Sequence, residues 1–524
     1  MHSARLTFGL AVVLLSARAG AAHAQLPPLT VPKGYVRFDL GGVFTGYDER
    51  YRLGQRQDAA QDFMREALGS DFFPALAGAD SLIASITGLS SPLSLGRTSA
   101  SHLVTFGTGI LGAAVGVTSR LTVFGMVPLR VTKVRATFTQ DSATANAGFN
   151  PADQQFGSSA GGQQDAAFFS EFDAALVTLE QNLASGVYDG DPNRKALAAA
   201  TLAEGGALRE NLFALLLGAG TASPFLPTTT SAAGAAILQR VAALQGILSN
   251  RLDVLGFSQV PALPGRRLDN TDFGSFVTDP QGPVAGSLET PELFSLGNIE
   301  LGAAYSVIDQ LAEPGVRSGI RVAAQLLTRL RTGTDPDPAR FFAVGTAERQ
   351  PDVEGSVTAD LLHRRFGARV TAGYNLQMTG TVERRISEPS QPMPYASRLA
   401  DVTWNPGDEL ILGASPFFRL TSSFALVAGA TYRRKGSDSY DLAAGQDSIP
   451  DAPPSLLGIE SDASWTTASL GLSYSTVLTP REGRSAQAPL DAGLMWSGVV
   501  AANGGRVPRS SSLRLWLRLY GKLW

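Results

Sequence analysis

Residues 513–524 read LRLWLRLYGKLW. Leu513, Leu515, Leu517, Leu519 and Leu523 share one parity, broken only by Gly521, while Arg514, Trp516, Arg518, Tyr520, Lys522 and Trp524 share the other. Side chains along a strand point alternately to its two faces, so this stretch is a ribbon with one greasy side and one cationic side. Helical geometry would scatter the leucines around the axis. The leucines are expected to face lipid, Arg514, Arg518 and Lys522 a wet lumen, and Tyr520 and Trp524 the interfacial girdle.

The same period recurs upstream. In YVRFDLGGVF (35–44), Val36, Phe38, Leu40 and Phe44 oppose Arg37 and Asp39. In GIRVAAQLLTRLR (319–331), Ile320, Val322, Ala324, Leu326 and Leu330 oppose Arg321, Gln325, Arg329 and Arg331. VEGSVTADLLHR sets Glu354 and Asp360 against valines and leucines, and FGARVTAGYNLQMTGTVE does so with Arg369, Asn375 and Gln377. Glu300, in LGNIELGAAY, joins the polar set. These runs reach or exceed the ~9–11 residues that a tilted strand needs to cross a bilayer. Strands of soluble sandwiches are commonly about 5–6 residues.

Strands are expected near 34–46, 99–118, 120–138, 293–308, 316–332, 352–365, 367–385, 406–420, 422–436, 463–478, 487–501 and 509–524. Short links alternate with longer ones, as in outer-membrane barrels, whose turns face the periplasm and whose loops face outward. The expected fold is therefore an all-β transmembrane barrel of about 12 antiparallel strands, 12–14 being allowed, with both ends on the periplasmic side. Residues 513–524 then form the closing strand, which pairs with the first and leaves no open edge.

Composition agrees. The 524 residues contain no cysteine, so burial and backbone pairing must hold the chain together. Charged residues make up 17%, below the ~25% of typical soluble domains. A net charge of −3 supplies no field for nucleic acid. Residues 1–24 have the layout of a signal peptide, with an apolar run from Leu6 to Leu15 and Ala22-His23-Ala24 before the cleavage point. Residues 25–33 then form a periplasmic N-terminal segment and 34–524 the barrel.

Two inserts lack alternation. Residues 47–98 hold one short helix candidate, DAAQDFMREALG. Residues 139–292 hold longer ones: FFSEFDAALVTLEQNL puts Phe169, Phe172, Leu176, Leu179 and Leu183 on one stripe, and AAILQRVAALQGILSNRLDVLG does the same with Leu238, Val241, Leu244, Leu248 and Leu252. Between them, KALAAATLAEGGALRENLFALLLG is helix-prone but weakened by Gly205-Gly206. The preferred reading is an extracellular helical cap; a plug inside the lumen is the alternative.

Chemical motifs carry little. GTGILG (107–112) lies inside a strand, not between strand and helix, which is where a dinucleotide fingerprint works. GSSAG (157–161) lacks the strand that precedes a nucleophile elbow. DGDPN (189–193) starts like a calcium loop, but Ala200 stands where the bidentate acid belongs, so it reads as a turn. His102 and His363 have no ligands at metal spacing. No catalytic, cofactor or metal residue is assigned. Trp465, Tyr474 and Trp496 are placed in the girdle.

GVTSRLTVFGMVPL (116–129), LGNIELGAAYSVID (296–309), VAAQLLTRLRTG (322–333), GYNLQMTG (373–380) and NPGDELILGASPFFRLTSSFALVAGATYRR (405–434) resemble the outer-membrane channel family associated with aromatic-compound (meta-pathway phenol) degradation, itself similar to FadL-type transporters. The resemblance implies passive passage of small hydrophobic or aromatic molecules through a Gram-negative outer membrane, without enzymatic chemistry or cofactor. Expected partners are those solutes, outer-membrane lipid and lipopolysaccharide, and the barrel-assembly machinery. A non-conducting structural or adhesion protein, with the cap as its working part, is the alternative, and a barrel-embedded lipase built on His363 is a weaker one. Selectivity would fall to the luminal residues Arg37, Asp39, Glu300, Arg321, Gln325, Arg329, Arg331, Glu354, Asp360, Arg369, Asn375, Gln377, Arg514 and Arg518.

Overall fold

The computed structural model describes residues 29–73, 76–218, 223–312, 316, 318–346, 350–421, 423–476 and 489–524. The signal-peptide assignment therefore lies outside the described residues. Twelve long strands form the wall: β1 Tyr35–Tyr47, β2 Arg97–Gly116, β3 Leu121–Asp141, β4 Glu300–Asp309, β5 Ser318–Arg329, β6 Asp352–His363, β7 Phe366–Gln377, β8 Glu409–Arg419, β9 Phe424–Lys435, β10 Ala463–Ser475, β11 Leu490–Gly504 and β12 Ser511–Lys522. Each pairs antiparallel with its sequence neighbours, and β1 pairs with both β2 and β12, from Tyr35↔Lys522 to Gly46↔Ser511. That last ladder closes the ring. A short run, Leu293–Leu296, adds to β3 ahead of β4.

The alternation decides which way each side chain points. Phe38, Phe44, Leu326, Val357, Leu470 and Leu515 stand on the outside, at 50–60% exposure or close to it. So much exposed apolar surface is untenable in water but suits hydrocarbon. Aromatic pairs ring the outer face near the short-link rim: Phe366–Phe418 at 4.9 Å and Phe424–Tyr474 at 5.0 Å. A closed cylinder, apolar without and polar within, is an outer-membrane barrel, since closure alone satisfies every backbone group in lipid.

Inside, glycine makes room for rings. Phe124 lies over its register partner Gly302, Phe417 over Gly367 and Trp516 over Gly493. A Cβ on any of the three glycines would come within 2.4 Å of the ring it faces. Trp516, Met495, Phe417, Leu362, Leu311, Ala425 and Val427 form one buried apolar cluster. At the short-link rim, Val31 N donates to the inward-facing Thr122 Oγ1 at 2.7 Å, drawing residues 29–33 against the inner wall.

β2 and β3 are the longest strands, at 20 and 21 residues. Their far halves carry hydroxyl pairs on the outside, Ser99–Thr139 and Ser101–Thr137, each 2.7 Å apart, so this hairpin continues beyond the apolar band. Its inner face, with Val104, Phe106, Val134, Ala136 and Phe138, packs on the helices α1 Leu76–Thr87, α2 Ser159–Ala184, α3 Pro192–Leu216, α4 Ala232–Arg251 and α5 Asn270–Thr278. All of these helices share one core, to which Phe342 and Met393 from two other loops contribute.

Three expectations need correction. The first insert's helix is Leu76–Thr87, not DAAQDFMREALG, whose residues form only a one-turn helix, Gln61–Phe63, and irregular chain. α3 runs unbroken across Gly205-Gly206; Gly205 is where α2 and α4 approach, and a Cβ there would meet Leu176 at 2.8 Å. β7 ends at Gln377, and Gly380–Arg385 pairs instead with Leu399–Asn405 in a separate small sheet. β5 ends at Arg329, because Leu330 N turns to the carbonyl of Ile299.

GTGILG lies within β2, Ser158 caps α2 with no strand before it, and Asp191 accepts from the amides of Asn193 and Arg194 as the N-cap of α3.

Candidate functional site

The inward parity of the wall assembles guanidinium and carboxylate groups from neighbouring strands, because residues opposite each other in register lie about 5 Å apart. Arg369 on β7 forms a fork with Asp360 on β6, Nε–Oδ1 2.5 Å and Nη2–Oδ2 2.7 Å. Arg321 on β5 lies 3.5 Å from the same carboxylate and 3.0 Å from Asp309. Two arginines and two aspartates thus share one ladder, with Arg369 only 2% exposed.

A second cluster is acidic. Arg329 reaches Glu300 at 3.2 Å, Asp352 at 2.8 Å and Glu354 at 2.7 Å, three carboxylates around one cation. On the far side of the ring, β1 and β12 carry the reverse excess: Arg37 and Arg518 share Asp39 at 2.9 and 3.1 Å. Arg514, one turn of the ladder from Arg518, has no carboxylate within ion-pair distance among the described residues. It stands in register with the buried Val43 and Met495. The lumen is therefore polar across its width as well as along its length. Taking such charges from water is costly unless each is paired or wet, which the sharing of carboxylates accomplishes.

Three amides complete the wall. Gln325 faces inward and is half-buried, Asn375 is buried, and Gln377 Nε2 donates to the carbonyl of Gly407 at 3.0 Å while Gln350 donates to its Oε1. Arg331 is the exception among the expected residues. It lies past the end of β5, exposed, with Nη2 on the carbonyl of Thr381, because the parity that put it in the lumen ends at Arg329.

Tyr520 and Trp465 also turn inward. Tyr520 is buried and donates to Asp491 at 2.7 Å, and Trp465 shares its face with Arg433, so neither belongs to the girdle. Tyr474 and Trp496 do face outward. Sequence reading missed Asp309, Asp352, Asp491 and the Arg433–Glu409 pair at 3.0 Å. Extending the parity count to the strand ends finds Asp352 and Asp491; Asp309 and Glu409 sit where strand meets loop, and periodicity gives no warning there.

His363 lies on the exposed side at the short-link rim, its Nδ1 3.4 Å from Ser318 Oγ. No carboxylate orients the imidazole among the described residues, so nothing there activates the hydroxyl.

No family model and no curated protein sequence matches the chain. Solved structures similar to it include an outer membrane channel from Pseudomonas putida F1, with a TM-score of 0.41 and 9% identity over 95% of this chain and 100% of that one. A FadL homologue from Pseudomonas aeruginosa has a TM-score of 0.26 and 8% identity, over 94% of this chain and 90% of that one. The Pseudomonas putida toluene transporter TodX has a TM-score of 0.22 and 10% identity, over 94% and 90%.

Proposed function

We propose that this barrel is an outer-membrane channel for passive passage of small, apolar or aromatic molecules, with the luminal charges as its selectivity elements and residues 139–292 as an extracellular cap. The luminal wall carries the reading. Charged side chains around a lumen can form ladders that narrow a pore and tune its selectivity. The cluster around Arg329, toward the long-loop rim, and the one around Arg37 and Arg518, toward the short-link rim, would set which solutes pass, and the Trp516 cluster would give apolar solutes a surface to move along. The polar outer face of the β2–β3 extension favours a cap over a plug, because the helices pack on a hairpin that has left the apolar band.

Reconstituted in planar bilayers, the purified protein is expected to conduct. Proteoliposomes are expected to take up toluene-sized solutes faster than empty vesicles, and faster still after deletion of residues 142–292. Absence of both conductance and uptake, with and without the insert, rejects the channel. One observation favours a non-conducting surface protein instead: Trp516, Phe417 and Leu362 belong to a single buried apolar cluster within the wall. Normal assembly without conductance is the result that reading expects.

A further inference from the structure

β2 and β3 leave the apolar band together, and their register fixes the order of residues on the outer face. Within the band stand Leu111 and its partner Val127, both exposed on the lipid side. Where the band ends, Val131 pairs with Phe294, which is 68% exposed, as suits an aromatic side chain at headgroup level. The next outward residues on β3 are Lys133 and Arg135, opposite Thr105 and Leu103. Beyond them come the hydroxyl pairs Ser101–Thr137 and Ser99–Thr139. From Lys133 outward all of these side chains are exposed. Same-face neighbours along a strand lie about 7 Å apart, so the outer face runs from cationic to hydroxylated over roughly 20 Å.

The cationic step is short of counter-charge. The outer parity carries no carboxylate from Ser99 to Val115 or from Leu121 to Thr139. Glu292, on the neighbouring segment, reaches Lys133 at 2.9 Å, with both side chains about half exposed. Arg135 has no hydrogen bond and no carboxylate within ion-pair distance among the described residues. Two cations thus face one carboxylate, and an exposed pair such as Lys133–Glu292 is weakly held. In each hydroxyl pair one donor serves the partner, which leaves a second donor and spare lone pairs free.

We propose that this outer face is a docking site for the phosphorylated glycolipid of the outer leaflet, lipopolysaccharide. Its acyl chains lie on Leu111, Val127 and Phe294, a phosphate sits between Lys133 and Arg135, and its sugars run along the hydroxyl pairs. A free anion needs no apolar step, and a glycerophospholipid ends close to its phosphate. A phosphorylated glycolipid presents chain, phosphate and sugar in the order the hairpin does. Guanidinium and ammonium groups at a membrane surface hold phosphate by charge and hydrogen bonding. The inference rests on the outer-membrane placement of the barrel and not on conduction.

The test uses the full-length protein in detergent, titrated with fluorescently labelled rough lipopolysaccharide, with the same material after enzymatic dephosphorylation, and with phosphatidylglycerol. Rough lipopolysaccharide is expected to bind at least tenfold tighter than either of the others. Lys133→Gln/Arg135→Gln is expected to lower that affinity about tenfold or more while leaving the dephosphorylated form unchanged. Thr137→Val/Thr139→Val is expected to weaken rough lipopolysaccharide severalfold and to leave lipid A, which lacks the core sugars, unchanged. Retention of the compact form on unheated gels shows that each variant has folded; if the double glutamine variant does not fold, Arg135→Gln alone is expected to lower the affinity severalfold. Equal binding of lipopolysaccharide and phosphatidylglycerol, which marks a merely anionic lipid surface, overturns the inference. So does an absence of lipopolysaccharide binding, or an unchanged affinity in the folded glutamine variants. None of these readouts needs conductance, so a failed channel assay leaves the lipid result standing, and the reverse holds too.

Discussion

Asp360 is the carboxylate on which the buried ladder turns, since both Arg369 and Arg321 lean on it. Asp360→Leu leaves Arg369 without that counter-charge in a nearly dry position, and breaking such a pair from one side costs about 3–5 kcal/mol. Denaturant unfolding in micelles is expected to show that loss, and Asp360→Leu combined with Arg369→Met to recover most of it. Gly493 matters for a different reason: Trp516 occupies the space a Cβ would fill. Gly493→Ala is expected to destabilise by about 1–3 kcal/mol through overpacking, and the double variant Gly493→Ala/Trp516→Leu less than the single one. In α2, burial pushes the Asp165 carboxyl up to about 6, opposed by the amide of Ala262 donating to its Oδ1 at 2.7 Å. The folded chain holds this proton more tightly than the unfolded chain. Its contribution is therefore full below the ordinary carboxylate value of about 4 and lost as pH rises through about 6. Hydrogen exchange in α2 is expected to be slower at pH 4 than at pH 8 after correction for intrinsic rates, and Asp165→Asn to remove much of that difference.

Among the elements, β12 has the largest consequence. Its removal unpairs β1 and β11 at once and exposes two edges to hydrocarbon, where an unsatisfied backbone group costs several kcal/mol. A chain lacking residues 511–524 is expected to give no compact band on unheated gels. α3 depends on its start: Asp191→Ala removes the acceptor for two amides and is expected to cost about 1 kcal/mol, seen as faster exchange in its first turn while the barrel strands are unchanged. The elements also show where periodicity stops informing. All twelve strand positions follow from period two, because each strand has lipid on one side and a polar lumen on the other. The ends do not follow: Arg331 and the Gly380–Arg385 segment continue the alternation into loops, where no lipid enforces it.

Over the whole molecule, an excess of carboxylates gathers around Arg329 toward the long-loop rim and an excess of cations around Asp39 toward the short-link rim. Neither arrangement is a property of one strand. The luminal list read from parity omitted Asp309, Asp352, Asp491, Arg433 and Glu409, included Arg331, which lies outside the wall, and held no information on partners. Among the described residues, Arg329 gathers three carboxylates within ion-pair distance and Arg514 none, though both alternate in the same way.

What the sequence determined by itself is the barrel, its facing and its closure, with about twelve strands and 12–14 allowed, because bilayer and water select between two faces at every residue, and that selection is local; the exact count came from the structure. Only the tertiary structure decided the pairings within the lumen, the inward turn of Tyr520 and Trp465, and the packing of the helical insert on the β2–β3 hairpin. Those depend on stagger between strands and on contacts between segments far apart in the chain, and no period along one segment records them.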